Sequence, residues 1–197
     1  MADHAIAGGL SRLLTSSWDE RLAETLSPQD LLVYRSNLLG ADKRITNFGG
    51  GNTSSKFDMP DPLTGAPVEV MWVKGSGGDL GSIRLDGFAT LDMARFGSVR
   101  QGYTGPAMED EVVALYPHCT FGLNPRAASI DTPLHGLIDR PHVDHVHPDA
   151  IIAIAASVDG EAITREIYGD EIGWLPWRRP GFELGLMLEG FVRAHPG

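Results

Sequence analysis

His145 and His147 stand two positions apart in the run His142-Val143-Asp144-His145-Val146-His147. Side chains alternate along a strand, so the two imidazoles share one face while Asp144 and Val146 take the other, and histidines about 7 Å apart at Cα can converge on one ion. Asp131 and His135 lie four residues apart, the same-face spacing of a helix, just ahead of that strand. A carboxylate beside a metal can act as a ligand or, once substrate displaces it, as a proton carrier. Asp131 also suits the cap of a helical turn that opens through Thr132 and Pro133, and the two roles are compatible.

A second group of residues suits an anion. Gly49-Gly50-Gly51 runs into Asn52, Thr53, Ser54 and Ser55, and a later glycine turn reads Lys74-Gly75-Ser76-Gly77-Gly78. Neither has the GxxxxGK[ST] pattern nor GxGxxG opening a helix, so a nucleotide site is not indicated. Donor-rich glycine turns at the ends of neighbouring strands can instead converge on a small phosphorylated ligand, through Asn52, Thr53, Ser54, Ser55, Ser76 and Gly77. Lys74 reads as a solvated charge at a strand end.

The elements that must place these residues follow from periodicity and punctuation. Ser27 caps a helix from Pro28 to about Leu39, which Gly40 stops. Residues 44–48 alternate like a strand, 49–55 form a glycine turn, 56–58 extend again, and 68–73 is the clearest β-run. A helix is expected over 108–115, with Glu109, Asp110 and Glu111 at the positive end of its dipole, then a loop over 119–128. A helical turn over 132–137, a strand over 142–147 and a helix over 148–156 come next. Helices over 161–168 and 182–194 flank a strand-like 172–175. Leu10, Leu13, Leu14 and Trp18 recur at helical spacing, so residues 1–27 read as an N-terminal helical arm, with Asp19 able to cap a second turn. Residues 28–197 form the main domain, α/β in order and without internal repeats.

Composition narrows the function. Of 197 residues, 42% are hydrophobic and 21% charged, which suits one folded domain. Sixteen Lys and Arg against twenty-six Asp and Glu leave a net charge of −10, which repels phosphate backbones and anionic membrane surfaces. Nucleic-acid and membrane partners are therefore not expected. The one cysteine, Cys119, excludes an intramolecular disulfide and a Cys-rich zinc finger, so any metal must use histidines and carboxylates. No run approaches about 20 apolar residues, and Met1-Ala2-Asp3-His4 is not the basic start of a signal peptide, so a cytoplasmic location is expected.

In their order along the chain these pieces resemble the class II aldolase/adducin family. Gly51-Asn52-Thr53-Ser54 stands in the place of its GN[TV]S phosphate turn and Gly75-Ser76-Gly77 in its second phosphate loop. Ser129 and Asp131 match the serine and acidic positions before the helix, and His145-Val146-His147 its HxH. The resemblance runs from about Ser27 to the end. More narrowly, the runs 129–135 and 142–150 are similar to the aldolase half of bifunctional rhamnulose-1-phosphate aldolase/alcohol dehydrogenase proteins, in which a short-chain dehydrogenase domain follows.

That resemblance implies an α/β fold with a central, mostly antiparallel sheet flanked by helices, with which the short link from Phe48 to Lys56 is compatible. It implies cleavage of a ketose 1-phosphate, rhamnulose 1-phosphate, to dihydroxyacetone phosphate and lactaldehyde. Zn2+ or another divalent metal would sit on His145 and His147, Asp131 would move the proton, and Gly51, Asn52, Thr53, Ser76, Gly77 and Ser129 would hold the phosphate. Asp131 replaces the family's longer Glu, and Ile130 stands where the family carries a second phosphate serine. The family's third histidine ligand falls in a strand after Gly197, so the chain is expected to be truncated from a longer, homo-oligomeric parent. His135, His142 and His195 are the other histidines to consider. The alternative is a non-catalytic adducin-like interaction module with the same fold.

Overall fold

The computed structural model describes residues 15–195. Four strands, β1 (Asn52–Pro60), β2 (Pro67–Lys74), β3 (Phe88–Asp92) and β4 (His142–His145), form one sheet in the order β3-β2-β1-β4 with every pairing antiparallel. The helices are α1 (Glu20–Ala23), α2 (Pro28–Ala41), α3 (Met93–Gly102), α4 (Glu109–Val113), α5 (Thr132–Gly136), α6 (Asp149–Ala155), α7 (Gly160–Tyr168) and α8 (Phe182–Ala194). The expected arm over 1–27 lies partly outside the described residues. Within them, Asp19 caps α1 by accepting from the Arg21 and Leu22 amides.

Alternation in the strands sorts the core into two layers. Met71, Val73, Ala89 and Leu91 point to one face of the sheet and pack with Phe96 of α3, Tyr116, Leu137 and Phe182 of α8. Trp72 and Phe88 point to the other face and meet Leu32 of α2, Leu80 and Ile83. Burying apolar side chains on both faces supplies the main stabilising force and fixes strand register, because a slip by one residue would exchange the two sets.

Several sequence expectations need correction. Residues 44–48 are not a strand but a series of turns, held by bonds such as the Ile45 amide to the Asp42 carbonyl, 2.9 Å. The polar run Asn52 to Ser55 belongs to β1, so the glycine turn ends at Gly51, whose φ of 78° suits glycine. Gly40 does not stop α2. A Cβ there would lie 2.0 Å from the Gly81 nitrogen, so Gly40 lets the helix backbone rest on the 3-10 turn at Leu80–Ser82. Residues 172–175 form no strand; Gly173 packs against the Phe191 ring, 2.2 Å from where its Cβ would be. Strand β3 and helix α3 were not anticipated. Among the described residues no helix is long and apolar enough to cross a membrane.

Glu109 does more than complement its own helix. Its carboxylate is 5% exposed and accepts from the Phe182 amide at 2.9 Å, the Glu183 amide at 2.8 Å and the Tyr103 hydroxyl at 2.7 Å. Residue 109 therefore caps α8 across 73 residues of sequence, because Gly181 has no side chain to do it. Glu109→Ala should destabilise the fold by about 3 kcal/mol, and Glu109→Gln, which keeps an acceptor, by about 1 kcal/mol, measured by urea unfolding.

Candidate active site

Strand β4 pairs with β1 over four residues, with Asn52 opposite His145, Thr53 opposite Asp144, Ser54 opposite Val143 and Ser55 opposite His142. Cross-strand partners share a face, so Asn52, Ser54 and His145 look toward α5, whereas Thr53, Ser55, His142 and Asp144 look toward α2. The contacts agree. Ser54 Oγ lies 2.9 Å from His135 Nδ1, while Thr53 Oγ1 lies 2.6 Å from Ser36 Oγ of α2. On the α2 face, Arg35 donates to Asp144 at 2.9 Å and to the Ser54 carbonyl at 2.7 Å, tying β4 to β1 behind the histidines.

The two histidines of the HxH do converge. Their Nε2 atoms are 2.9 Å apart, with ring centres 4.7 Å apart and planes at 66°. Two bonds of about 2.05 Å to one ion would place the nitrogens 2.9 Å apart at a bond angle of about 90°, so the pair fits two adjacent positions around a divalent metal. Burial holds the His145 ring below its ordinary value; Asp131 opposes that shift, while His147 and Lys74 add to it. Neutral imidazole is the form that binds metal, so burial keeps His145 ready.

Asp131 occupies the N-cap position of α5, yet its side chain makes no capping bond. Its backbone amide instead donates to Ser129 Oγ at 3.2 Å, and the carboxylate is left to act on the histidine side of the site, where its charge reaches both His145 and Lys74. Ser129 Oγ also accepts from Asn52 Nδ2 at 3.2 Å, and the second Asn52 N–H bond goes to the Lys74 carbonyl, 3.2 Å. Asn52, Ser129 and Asp131 thus form one chain of hydrogen bonds from β1 to the start of α5.

Ser76 and Gly77 lie on an exposed turn beside this chain. The Ser76 amide donates to the Ala127 carbonyl at 3.1 Å, and Gly77 adopts φ of 77°. Gly51 ends the other turn, just before β1. Thr53 is separated from the group, since its hydroxyl is spent on Ser36 across the sheet. Lys74, expected to be solvated, is only 6% exposed; burial lowers its ordinary value, opposed by Asp131 and Asp79.

Of the other histidines, His142 faces Ser55 on the opposite side, 3.0 Å from its hydroxyl, and His195 stacks on Phe191 at the end of α8, 4.3 Å between ring centres. His135 is fully buried, with its ring centre 6.4 Å from that of His145. Its buried Nε2 has no hydrogen-bond partner. Among the described residues, no group of three or more His, Cys, Asp or Glu is placed to hold a metal ion together. Five buried side-chain polar atoms in these residues lack a hydrogen-bond partner, and four of them, on Asn52, Thr132, His135 and His145, belong to the site or its support. Such atoms are uncommon in folded interiors and mark places where a ligand or water completes the bonding.

Burial pushes His135 down to about 3, helped by the neighbouring His145 and Lys56 charges. The folded value lies below that of the unfolded chain, so the unfolded chain binds this proton first. Stability from this group is whole above about pH 6.5 and is lost as the pH falls, by about 1.4 kcal/mol per unit while only the unfolded state is protonated. His135→Gln should flatten the fall in stability between pH 6 and pH 4.5 by about one proton relative to the wild type. Urea unfolding at several pH values in that interval reads the slope.

Residues 30–195 match the family model of the class II aldolase and adducin N-terminal domain. A protein of Bacillus subtilis (strain 168) described as the uncharacterized oxidoreductase YuxG is 41% identical over 181 residues. That alignment covers 91% of this chain but 26% of the relative, so the chain spans about a quarter of its length. Among solved structures, the N-terminal class II aldolase domain of a conserved protein from Thermoplasma acidophilum superposes with a TM-score of 0.77 at 29% identity. The match covers 90% of this chain and 80% of that one.

Proposed function

The chain belongs to the class II aldolase and adducin N-terminal domain family, and from that premise we propose that it is a metal-dependent aldolase domain that cleaves a ketose 1-phosphate, with rhamnulose 1-phosphate as the first substrate to try. The observation that carries this reading is the pair of imidazoles whose Nε2 atoms stand 2.9 Å apart beside a carboxylate that does not cap its helix. His145 and His147 would hold a divalent ion, Zn2+ or a similar metal, in their neutral forms. When bound, such an ion supplies Lewis-acid stabilisation of negative charge on oxygen.

The chain's own residues account for the remaining work. Retro-aldol cleavage removes the proton of the hydroxyl on one side of the breaking carbon–carbon bond and returns a proton to carbon on the other. Asp131 is the group proposed to carry it. Gly51, Asn52 and Ser129, with the Ser76–Gly77 turn, would take the phosphate. Asn52 does so by holding Ser129 and the Lys74 carbonyl in place, since its two N–H bonds are already used. The buried Lys74 ammonium favours an anion in the same region.

With zinc in excess, because two histidines alone should hold it weakly, the purified chain supplied with rhamnulose 1-phosphate should release only a little dihydroxyacetone phosphate, followed by a coupled reductase assay, with unphosphorylated rhamnulose far poorer. Asn52→Ala together with Ser76→Ala should raise KM for the phosphorylated sugar about tenfold or more and leave the unphosphorylated one unaffected. Zinc binding without any cleavage of phosphorylated ketoses would favour the interaction-module reading instead.

A further inference from the structure

We propose that the turn formed by residues 46–51 positions His147, with Thr46 and Gly50 as the two positioning residues; this rests on the metal-site reading above. His147 lies beyond the last residue of β4, so pairing with β1 does not hold it. The turn takes over. The His147 amide donates to Thr46 Oγ1 at 3.3 Å, and the His147 carbonyl accepts from the Asn47 amide at 3.2 Å. A threonine hydroxyl thus stands where a strand partner's carbonyl would, and it is held in place because Thr46 is fully buried.

Gly50 supplies the second restraint. A Cβ built on it would lie 2.6 Å from His147 Nδ1 and 3.2 Å from its Cγ, so the backbone of the turn packs directly on the imidazole. The same Cβ would lie 2.2 Å from Asn47 Oδ1, which places the Asn47 side chain in the same contact. The next residue, Gly51, adopts φ of 78°, and a Cβ there would meet Thr46 Oγ1 at 2.8 Å and the His145 carbonyl at 3.2 Å. Asp79 anchors the turn from outside by accepting from the Gly49 amide at 3.1 Å. Gly50 and Gly51 therefore bring backbone against the HxH, and the donor-bearing residues that follow belong to β1. Orientation of a metal-binding histidine by such a surround is worth about ten- to a hundredfold in metal affinity.

Gly50→Ala is the sharpest test, because the backbone at Gly50 is not in the left-handed region and the added methyl acts chiefly on His147 and Asn47. Zinc affinity should fall about ten- to a hundredfold in Gly50→Ala and about tenfold in Thr46→Val, recover in Thr46→Ser, and stay unchanged in Gly97→Ala, where a methyl meets nothing within 4 Å. In a His147→Ala background, Gly50→Ala should cause no further loss, since coupled residues are not additive. Histidine ring carbon–proton NMR signals of the metal-free protein give a readout that needs no metal: Gly50→Ala should move the His147 signals and leave those of His118 in place. Unmoved His147 signals in folded Gly50→Ala and Thr46→Val protein would overturn the positioning role. Failure of the wild type to bind zinc would overturn the metal reading alone, and the ring signals would then decide this one.

Discussion

Asp131→Asn should lower kcat for cleavage of the phosphorylated ketose by about two to four orders of magnitude, the range that general acid–base catalysis contributes. Stability should stay within about 0.5 kcal/mol of the wild type, because the carboxylate makes no capping bond that the amide would lose. The amide cannot take up and return a proton, yet it keeps the size of the side chain and leaves the backbone bond from residue 131 to Ser129 Oγ intact. KM should therefore change little, and zinc affinity should fall less than tenfold if the carboxylate is only an occasional ligand. Asp131→Glu, which restores the length usual in the family, should keep measurable turnover. Steady-state kinetics with thermal melting on the three proteins separate the roles: equal kcat in the wild type and Asp131→Asn would remove residue 131 from the proton path.

The sheet and the helices it needs were legible where local signals are strong. The β-run at 68–73 extends by one residue at each end, and helices expected at 161–168 and 182–194 form at Gly160–Tyr168 and Phe182–Ala194, whereas the strand expected over 142–147 stops at His145 and leaves His147 beyond it. What was lost depends on distant partners. Gly40 looks like a helix stop in sequence, and only Gly81, lying against it, shows that the glycine permits contact between two backbone segments. Strand β3 is five residues long and carries no alternation of its own, because both of its faces are buried.

The same reasoning explains the polar run after the three glycines. Read as a turn, Asn52, Thr53, Ser54 and Ser55 are four equivalent donors. Placed in a strand they divide between two faces, so Asn52 and Ser54 support the histidine side while Thr53 and Ser55 bond to α2 and its neighbours. One residue of register decides which hydroxyls can face a ligand. Lys74 shows the converse: a strand-end lysine reads as solvated until the surrounding loops, brought from residues 79 and 131, enclose it.

His145→Ala should lower zinc affinity by at least about a hundredfold, a larger loss than any substitution behind the ligands, because it removes a coordination bond rather than its orientation. His147→Ala should do the same, whereas His135→Ala should cost less than tenfold, its ring centre being 6.4 Å from that of His145 and its Nδ1 already engaged with Ser54. The pH dependence gives a second measure. Burial holds His145 neutral below the ordinary histidine range, so protons compete weakly for that ligand, and affinity should decline less between pH 7 and pH 6 than a pair of exposed histidines would give. Arg35→Ala, which loosens the tie between β4 and β1 on the far face, should weaken binding by a smaller factor, since the Nε2 pair is then free to spread from 2.9 Å. Calorimetric titration of zinc into the metal-free proteins at both pH values orders these effects. Wild-type affinity in His145→Ala would show that the metal, if bound, is held elsewhere, and His135 would be the first residue to substitute next.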